Sequence, residues 1–126
     1  MGLAAALDTL TRFDLAAIGQ HDAALVARFR EGTAGVPGLR VLGDLGDVNS
    51  RVPVFTFTLA GVPVAAIVKG LDERGIAVRA GDMAALPLLT RFGLTEAVRA
   101  SCYLYTTFTE VDRLVDGLRD LARGTR

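Results

Sequence analysis

Two arginines, one histidine, one lysine and one cysteine are the side chains whose type and setting suit chemistry in this sequence. Arg79 ends the apolar run Ile76-Ala77-Val78 and leads into Ala80-Gly81-Asp82. Arg99 opens a second apolar run, Val98-Arg99-Ala100-Ser101. Both read as strand ends, where loops gather. A guanidinium in such a place clamps a carboxylate through two parallel hydrogen bonds. A structural ion pair, for instance with Asp82 or Glu96, is the other role open to them, and the pattern alone favours it.

The remaining three suit quieter roles. His21 stands between Gln20 and Asp22, a setting for a solvent-facing or helix-packing imidazole. Lys69 is the one lysine, hence the one possible Schiff-base former, but it lies beside Gly70 on an amphipathic helix and reads as solvated. Cys102, within Ala100-Ser101-Cys102-Tyr103, reads as a buried, inert thiol on a strand. A single cysteine excludes a disulfide within the chain, and the sequence has no Cys/His grouping with metal-ligand spacing. It also has no glycine-rich phosphate loop, paired-carboxylate motif or Ser/His/Asp arrangement.

The elements that hold these residues follow from periodicity and punctuation. Residues from about Gly2 to Gly32 read as helix, with Leu3, Leu7 and Leu10, then Ile18, Leu25 and Phe29, at helical spacing. A bend is expected near Asp14, which would cap the second segment. Leu39 to Leu42 reads as a short strand after the Pro37-Gly38 turn, and Gly43 to Ser50 as a polar loop. Val52 to Leu59 is the clearest strand, with Phe55, Phe57 and Leu59 alternating against Val54, Thr56 and Thr58. Pro63 opens a helix whose buried stripe is Val64, Ile67, Val68 and Leu71, and Gly75 stops it. Ile76 to Arg79 is the third strand, Pro87 to Phe92 a short helix, and Arg99 to Tyr105 the fourth strand. Thr107-Phe108-Thr109-Glu110 is a capping box that starts the last helix, with Val111, Leu114, Val115, Leu118 and Leu121 on one face. The expected fold class is α/β (α+β), in the order α-β-β-α-β-α-β-α. A small mixed sheet of about four strands would carry helices on one face, with a long helix at the N-terminus.

Composition narrows the function. The 126 residues are 51% hydrophobic, enough for one domain with a real core. Lysine plus arginine and aspartate plus glutamate balance at 14 each. A neutral chain is a poor binder of phosphate backbones, so nucleic acid is not an expected partner. The arginines are scattered and have acids nearby, which fits coding bias better than a binding patch. Met1 to Ala6 is apolar but lacks a basic n-region, and no run approaches the roughly 20 apolar residues of a membrane span. The expected compartment is the cytoplasm, with no membrane association.

Several motifs in order also resemble a known family. Gly75-Ile-Ala-Val-Arg-Ala-Gly-Asp-Met-Ala-Ala-Leu-Pro-Leu-Leu89 is similar to the active-site loop of SufS-type cysteine desulfurases, approximately G-I-A-V-R-T-G-H-H-C-A-x-P-L. Val98-Arg-Ala-Ser-Cys-Tyr-Leu-Tyr-Thr-Thr-Phe-Thr-Glu-Val-Asp-Arg-Leu-Val115 resembles R-A-S-x-x-x-Y-N-T-x-E-E-V-D-x-L. The strands at Pro37 to Gly43 and Val52 to Phe57 also match, so the likeness runs from about Leu3 to Ala122. The chain thus resembles the small C-terminal domain of class V aminotransferases and cysteine desulfurases, which are fold-type-I enzymes dependent on pyridoxal phosphate. Residues 1–126 are expected to form that one domain.

The resemblance implies that Arg99 binds the α-carboxylate of an amino-acid substrate. Arg79 would border the same site, and the loop of Gly81, Asp82, Met83 and Ala84 would cover it. It also implies two departures. Ala84 stands where desulfurases carry the persulfide-forming cysteine, and Asp82 and Met83 replace two histidines, so the loop fits the aminotransferase, epimerase and lyase branches better. In the family the cofactor lysine and the phosphate-binding groups lie in a preceding large domain. The expectation is therefore a fragment, whether from a split frame or a truncated product, that binds no pyridoxal phosphate and has no activity alone. It would work with a large-domain partner, on a separate chain or an intact relative, in a homo- or hetero-oligomer, with dimers as the family pattern. The alternatives are a non-catalytic remnant or interaction module docking on an intact relative, and an unrelated α/β interaction domain.

Overall fold

Asp14 divides the opening helix as its sequence suggests. In the computed structural model, which describes residues 2–124, the Asp14 carboxylate accepts a hydrogen bond from the Ala16 amide at 2.9 Å. Helix α1 (Gly2–Leu10) ends before it and α2 (Leu15–Thr33) begins after it. Met1, on which the reading of the chain's start depends, lies outside the described residues. The order then runs β1 (Leu39–Leu42), a 3-10 turn (Val48–Ser50), β2 (Val54–Leu59), α3 (Val64–Asp72), β3 (Arg79–Gly81), α4 (Leu86–Arg91), β4 (Ala97–Ser101) and α5 (Phe108–Arg123). The expected α/β class and element order are both present.

The sheet is antiparallel throughout, not mixed, in the order β1-β2-β4-β3. Helix α3 carries the chain from β2 over to the far edge, so β2 and β3 run the same way. β4 then returns between them, which splits the βαβ unit and makes both of its own pairings antiparallel.

Period-two alternation decides the core. Phe55 and Phe57 are fully buried and Leu59 nearly so, while Thr56 and Thr58 face the other way. Over the buried face lie Leu25, Val26 and Phe29 of α2, Ile67 and Leu71 of α3, and Val111, Leu114, Val115 and Leu118 of α5. Phe29 stacks on Phe55 with ring centroids 3.9 Å apart. Each buried aromatic or large aliphatic side chain contributes about 1.5–3 kcal/mol. Gly32 lets α2 approach α5, since a Cβ there would stand 2.9 Å from a Val115 methyl carbon. α1 by contrast buries nothing, and Leu3 and Leu7 are exposed.

Three strands differ from expectation in their limits, the least of them β2, which starts at Val54 where Val52 was expected. β3 starts at Arg79, where Ile76 to Arg79 was expected, because its ladder with β4 reaches only from Ala97 to Arg99. Ile76 is instead tied to the helix end, its amide donating to the Leu71 carbonyl just after left-handed Gly75. β4 runs from Ala97 to Ser101, where Arg99 to Tyr105 was expected. Beyond Ser101 the chain turns toward α5: Tyr103 N–H donates to the Thr106 hydroxyl and Thr106 N–H to the Tyr103 carbonyl. Thr107 and Glu110 then close the expected capping box.

Candidate carboxylate-binding site

The face of the sheet turned away from α2, α3 and α5, on which α4 packs although helices were expected on one face only, carries a row of directly opposed residues. Leu42 pairs with Thr56, Thr56 with Arg99, and Arg99 with Arg79. Opposed residues in an antiparallel ladder share a face, so both arginines stand on one side of the sheet. They also share one open hollow, lined by Ala77, Val78, Arg79, Ala80, Arg99 and Ser101. Arg99 lies in the middle of β4, and Arg79 opens the edge strand β3. Arg99 was expected to begin its strand and Arg79 to end one. The shift in register moves each residue, yet it brings the pair face to face.

Neither arginine has an ionic or hydrogen-bonded partner among the described residues. The Nε of Arg99 is shut off from solvent without an acceptor. The acids that an ion pair would require are elsewhere. Asp82 accepts the Ala84 amide on its carboxylate at 3.0 Å, and Glu96 lines a separate hollow with Val64, Lys69 and Asp72. The structural ion pair is therefore not what this sheet contains.

The loop expected to cover the site, Gly81 to Ala84, sits beside this row. Met83 packs on Leu89 and on Ala97, two residues along β4 from Arg99. Gly81, Met83 and Ala84 all have positive φ, of 109°, 52° and 57°. For the two non-glycine residues this costs roughly 1–3 kcal/mol each. The Asp82 carboxylate on the Ala84 amide and the Met83 contact with the small apolar cluster offset that cost. α4 seals the other end of the face, where Arg40 donates to the Phe92 carbonyl at 3.2 Å and lies over its ring.

The other candidates stand apart from the arginines. His21 Nε2 donates to the Thr106 carbonyl at 2.8 Å and its ring tilts against Phe108, so it ties α2 to the start of α5. Lys69 is a surface residue 3.9 Å from Glu73. Cys102 lies one residue past β4 and is half-buried, not fully buried as expected. Burial, with Asp22 and Glu110 adding to it, raises its thiol above the ordinary range. Sequence reasoning did not single out Thr56 or Ser101, although both belong to this face. The signal was available in the two-residue alternation that buries Phe55 and Phe57 and in the spacing of Ser101 from Arg99.

The match to known proteins follows this geometry. Residues 1–114 fit the model of the family described as aminotransferase class-V. The chain belongs to the aminotransferase class-V family. It is 42% identical to probable cysteine desulfurase 2 of Mycobacterium leprae, over 94% of this chain and 28% of that protein. Its fold superposes on the apo cysteine desulfurase of Thermococcus onnurineus NA1 with a TM-score of 0.88 at 28% identity, over 98% of this chain and 30% of the other. Against the cysteine desulfurase CsdA of Escherichia coli the TM-score is 0.83 at 34% identity, over 98% and 29%. The chain thus spans under a third of the length of these class-V relatives.

The class-V family depends on pyridoxal phosphate, and the described residues do not fit a site for it. Lys69, the single lysine, is 79% exposed at its side chain and sits on α3 over the helix-covered face. The arginines stand on the opposite face. The described residues contain no His/Cys/Asp/Glu group able to hold a metal, and no helix is long and apolar enough to cross a membrane.

Proposed function

We propose that this chain is the C-terminal domain of a pyridoxal-phosphate-dependent, cysteine-desulfurase-like enzyme, and that it supplies the arginines that hold the substrate carboxylate. One observation carries the reading. Arg99 is a part-buried cation with no acceptor, next to a second unpaired cation on an open hollow. A guanidinium so placed lacks an oxyanion, and a carboxylate matches its fork. Arg99 takes the α-carboxylate of an amino acid, Arg79 borders the same site, and the loop of Gly81, Asp82, Met83 and Ala84 closes over it. The pyridoxal phosphate would be held by residues outside this chain, on a large domain that docks beside the arginine face. With alanine at position 84, this loop supplies no thiol to take up sulfur.

The test is a titration of the chain with L-alanine, followed through the side-chain NMR signals of its arginines. The expected result is a saturable shift of the Arg99 Nε–H signal that the R99M variant abolishes. An unmoved Arg99 signal at saturating amino acid would end the reading. A second reading, a non-catalytic module that docks on an intact relative, is favoured by α1, which buries nothing and exposes Leu3 and Leu7. That module would bind a relative with or without Arg99.

A further inference from the structure

The arginine pair has more positive charge than one carboxylate neutralises. Like charges directly opposite in a sheet repel, and a part-buried charge is ordinarily paired. The other part-buried arginines each donate to at least one acceptor, although among the described residues the Arg51 Nε, like that of Arg99, has none. Arg30 donates to the Leu45 and Gly46 carbonyls, Arg51 to the Val54 carbonyl, and Arg119 to Asp116 and the Gly32 carbonyl. Among the described residues Arg99 donates to none, and exposed Arg79, opposite it in register and on the same hollow, has no acid partner either. The neighbour on the other side of Arg99 is Thr56, a hydroxyl that adds no negative charge.

The two cations also differ in depth. Arg99 lies mid-sheet with its Nε closed to solvent, whereas Arg79 is exposed on the edge strand. A ligand with two acidic groups satisfies both by placing one against the sheet and the second nearer its edge. We infer that this site selects amino acids with an acidic side chain, the α-carboxylate on Arg99 and the side-chain acid on Arg79. This rests on the carboxylate reading of Arg99 and adds a second, specificity-determining role for Arg79.

L-aspartate and L-alanine differ by one carboxylate on the β-carbon, so their affinities for the chain isolate that role. Measured by arginine side-chain NMR at neutral pH and fixed ionic strength, L-aspartate should bind roughly ten-fold more tightly, the worth of one screened charge-assisted contact. In R79Q the aspartate-to-alanine ratio should fall to near one, and in R79K, which keeps the charge, a several-fold preference should remain. Equal affinities in the unaltered chain would overturn the inference, with both guanidinium groups then serving one carboxylate, while the Arg99 reading stands. A preference that survives R79Q would also overturn it, since another group would then read the second acid. Failure of both amino acids to move Arg99 would remove the reading and the inference together.

Discussion

On one face of the sheet Phe55, Phe57 and Leu59 vanish beneath α2, α3 and α5, and several of the charges that border this packing are paired. Arg28 of α2, for example, forks onto Asp112 of α5 through bonds of 2.7 and 2.8 Å. On the other face Thr56, Arg99 and Arg79 stand in a row, and the two cations have no acid among the described residues. The same four strands build both faces, so the contrast is not one of scaffold. The helix-covered face is made as a core is made, with apolar surface removed from water and charges such as Arg28 and Arg74 given a partner. The open face departs from those rules at Arg79 and Arg99. Departures of that kind are where a fold gives up stability for a ligand.

The contrast breaks most visibly between adjacent residues of β2. Phe55→Ala removes a fully buried ring stacked on Phe29 and should cost about 3–5 kcal/mol. Thr56→Ala, one residue on and facing the arginines, should stay within about 0.5 kcal/mol. Chemical denaturation of the two variants reads both values. Comparable losses would mean that the packing of Leu42, Leu89 and Ala97 on the open face extends to Thr56.

The core was legible because alternation in β2 and helical spacing in α2 and α5 report burial directly. The capping box at Thr107 and the cap at Asp14 were legible because each needs only local hydrogen bonds. The limits of β3 and β4 were not. A strand ends where its neighbour stops pairing, and that depends on residues far away in sequence, such as Ala97 opposite Gly81. The antiparallel sheet was hidden for the same reason: nothing local says that β4 inserts between β2 and β3. Arg79 and Arg99 could be named from the motifs that flank them. That they face each other is a matter of register, which lies in the pairing and not in either segment.

Arginine substitutions should move stability in opposite directions on the two faces. Arg79→Gln removes one of two opposed cations and should stabilise the chain by a few tenths up to about 1 kcal/mol. Arg28→Gln removes one half of the fork to Asp112 and should lower the melting temperature. Added salt should shrink both effects, since both pairs are largely in contact with solvent. Thermal melts at low and high ionic strength decide this. A destabilised R79Q would show that Arg79 makes an attractive contact in the unliganded chain.

The smallest expected effect is in acid. The hydrogen bond from Arg28 holds the Asp112 carboxyl below the usual range, against the opposing effect of burial and with the charges of Arg28 and Arg119 adding to it. The amide and hydroxyl of Thr107 do the same for Glu110. A carboxylate with a depressed value in the folded state binds its proton less readily than in the unfolded chain, where aspartate titrates near about 3.9. Its stabilisation is therefore complete above that unfolded value and fades as pH falls through the lower folded one. Asp112→Asn should then be less stable than the unaltered chain at neutral pH, with the gap closing through the acid range and the share due to Glu110 left in place. The arginine row has no carboxylate to titrate, so R79Q should keep a nearly constant offset over the same range. Stability measured against pH for the two variants separates the faces. An Asp112→Asn gap that stayed open below the folded value would mean that the fork holds α2 to α5 by its shape and not by its charge.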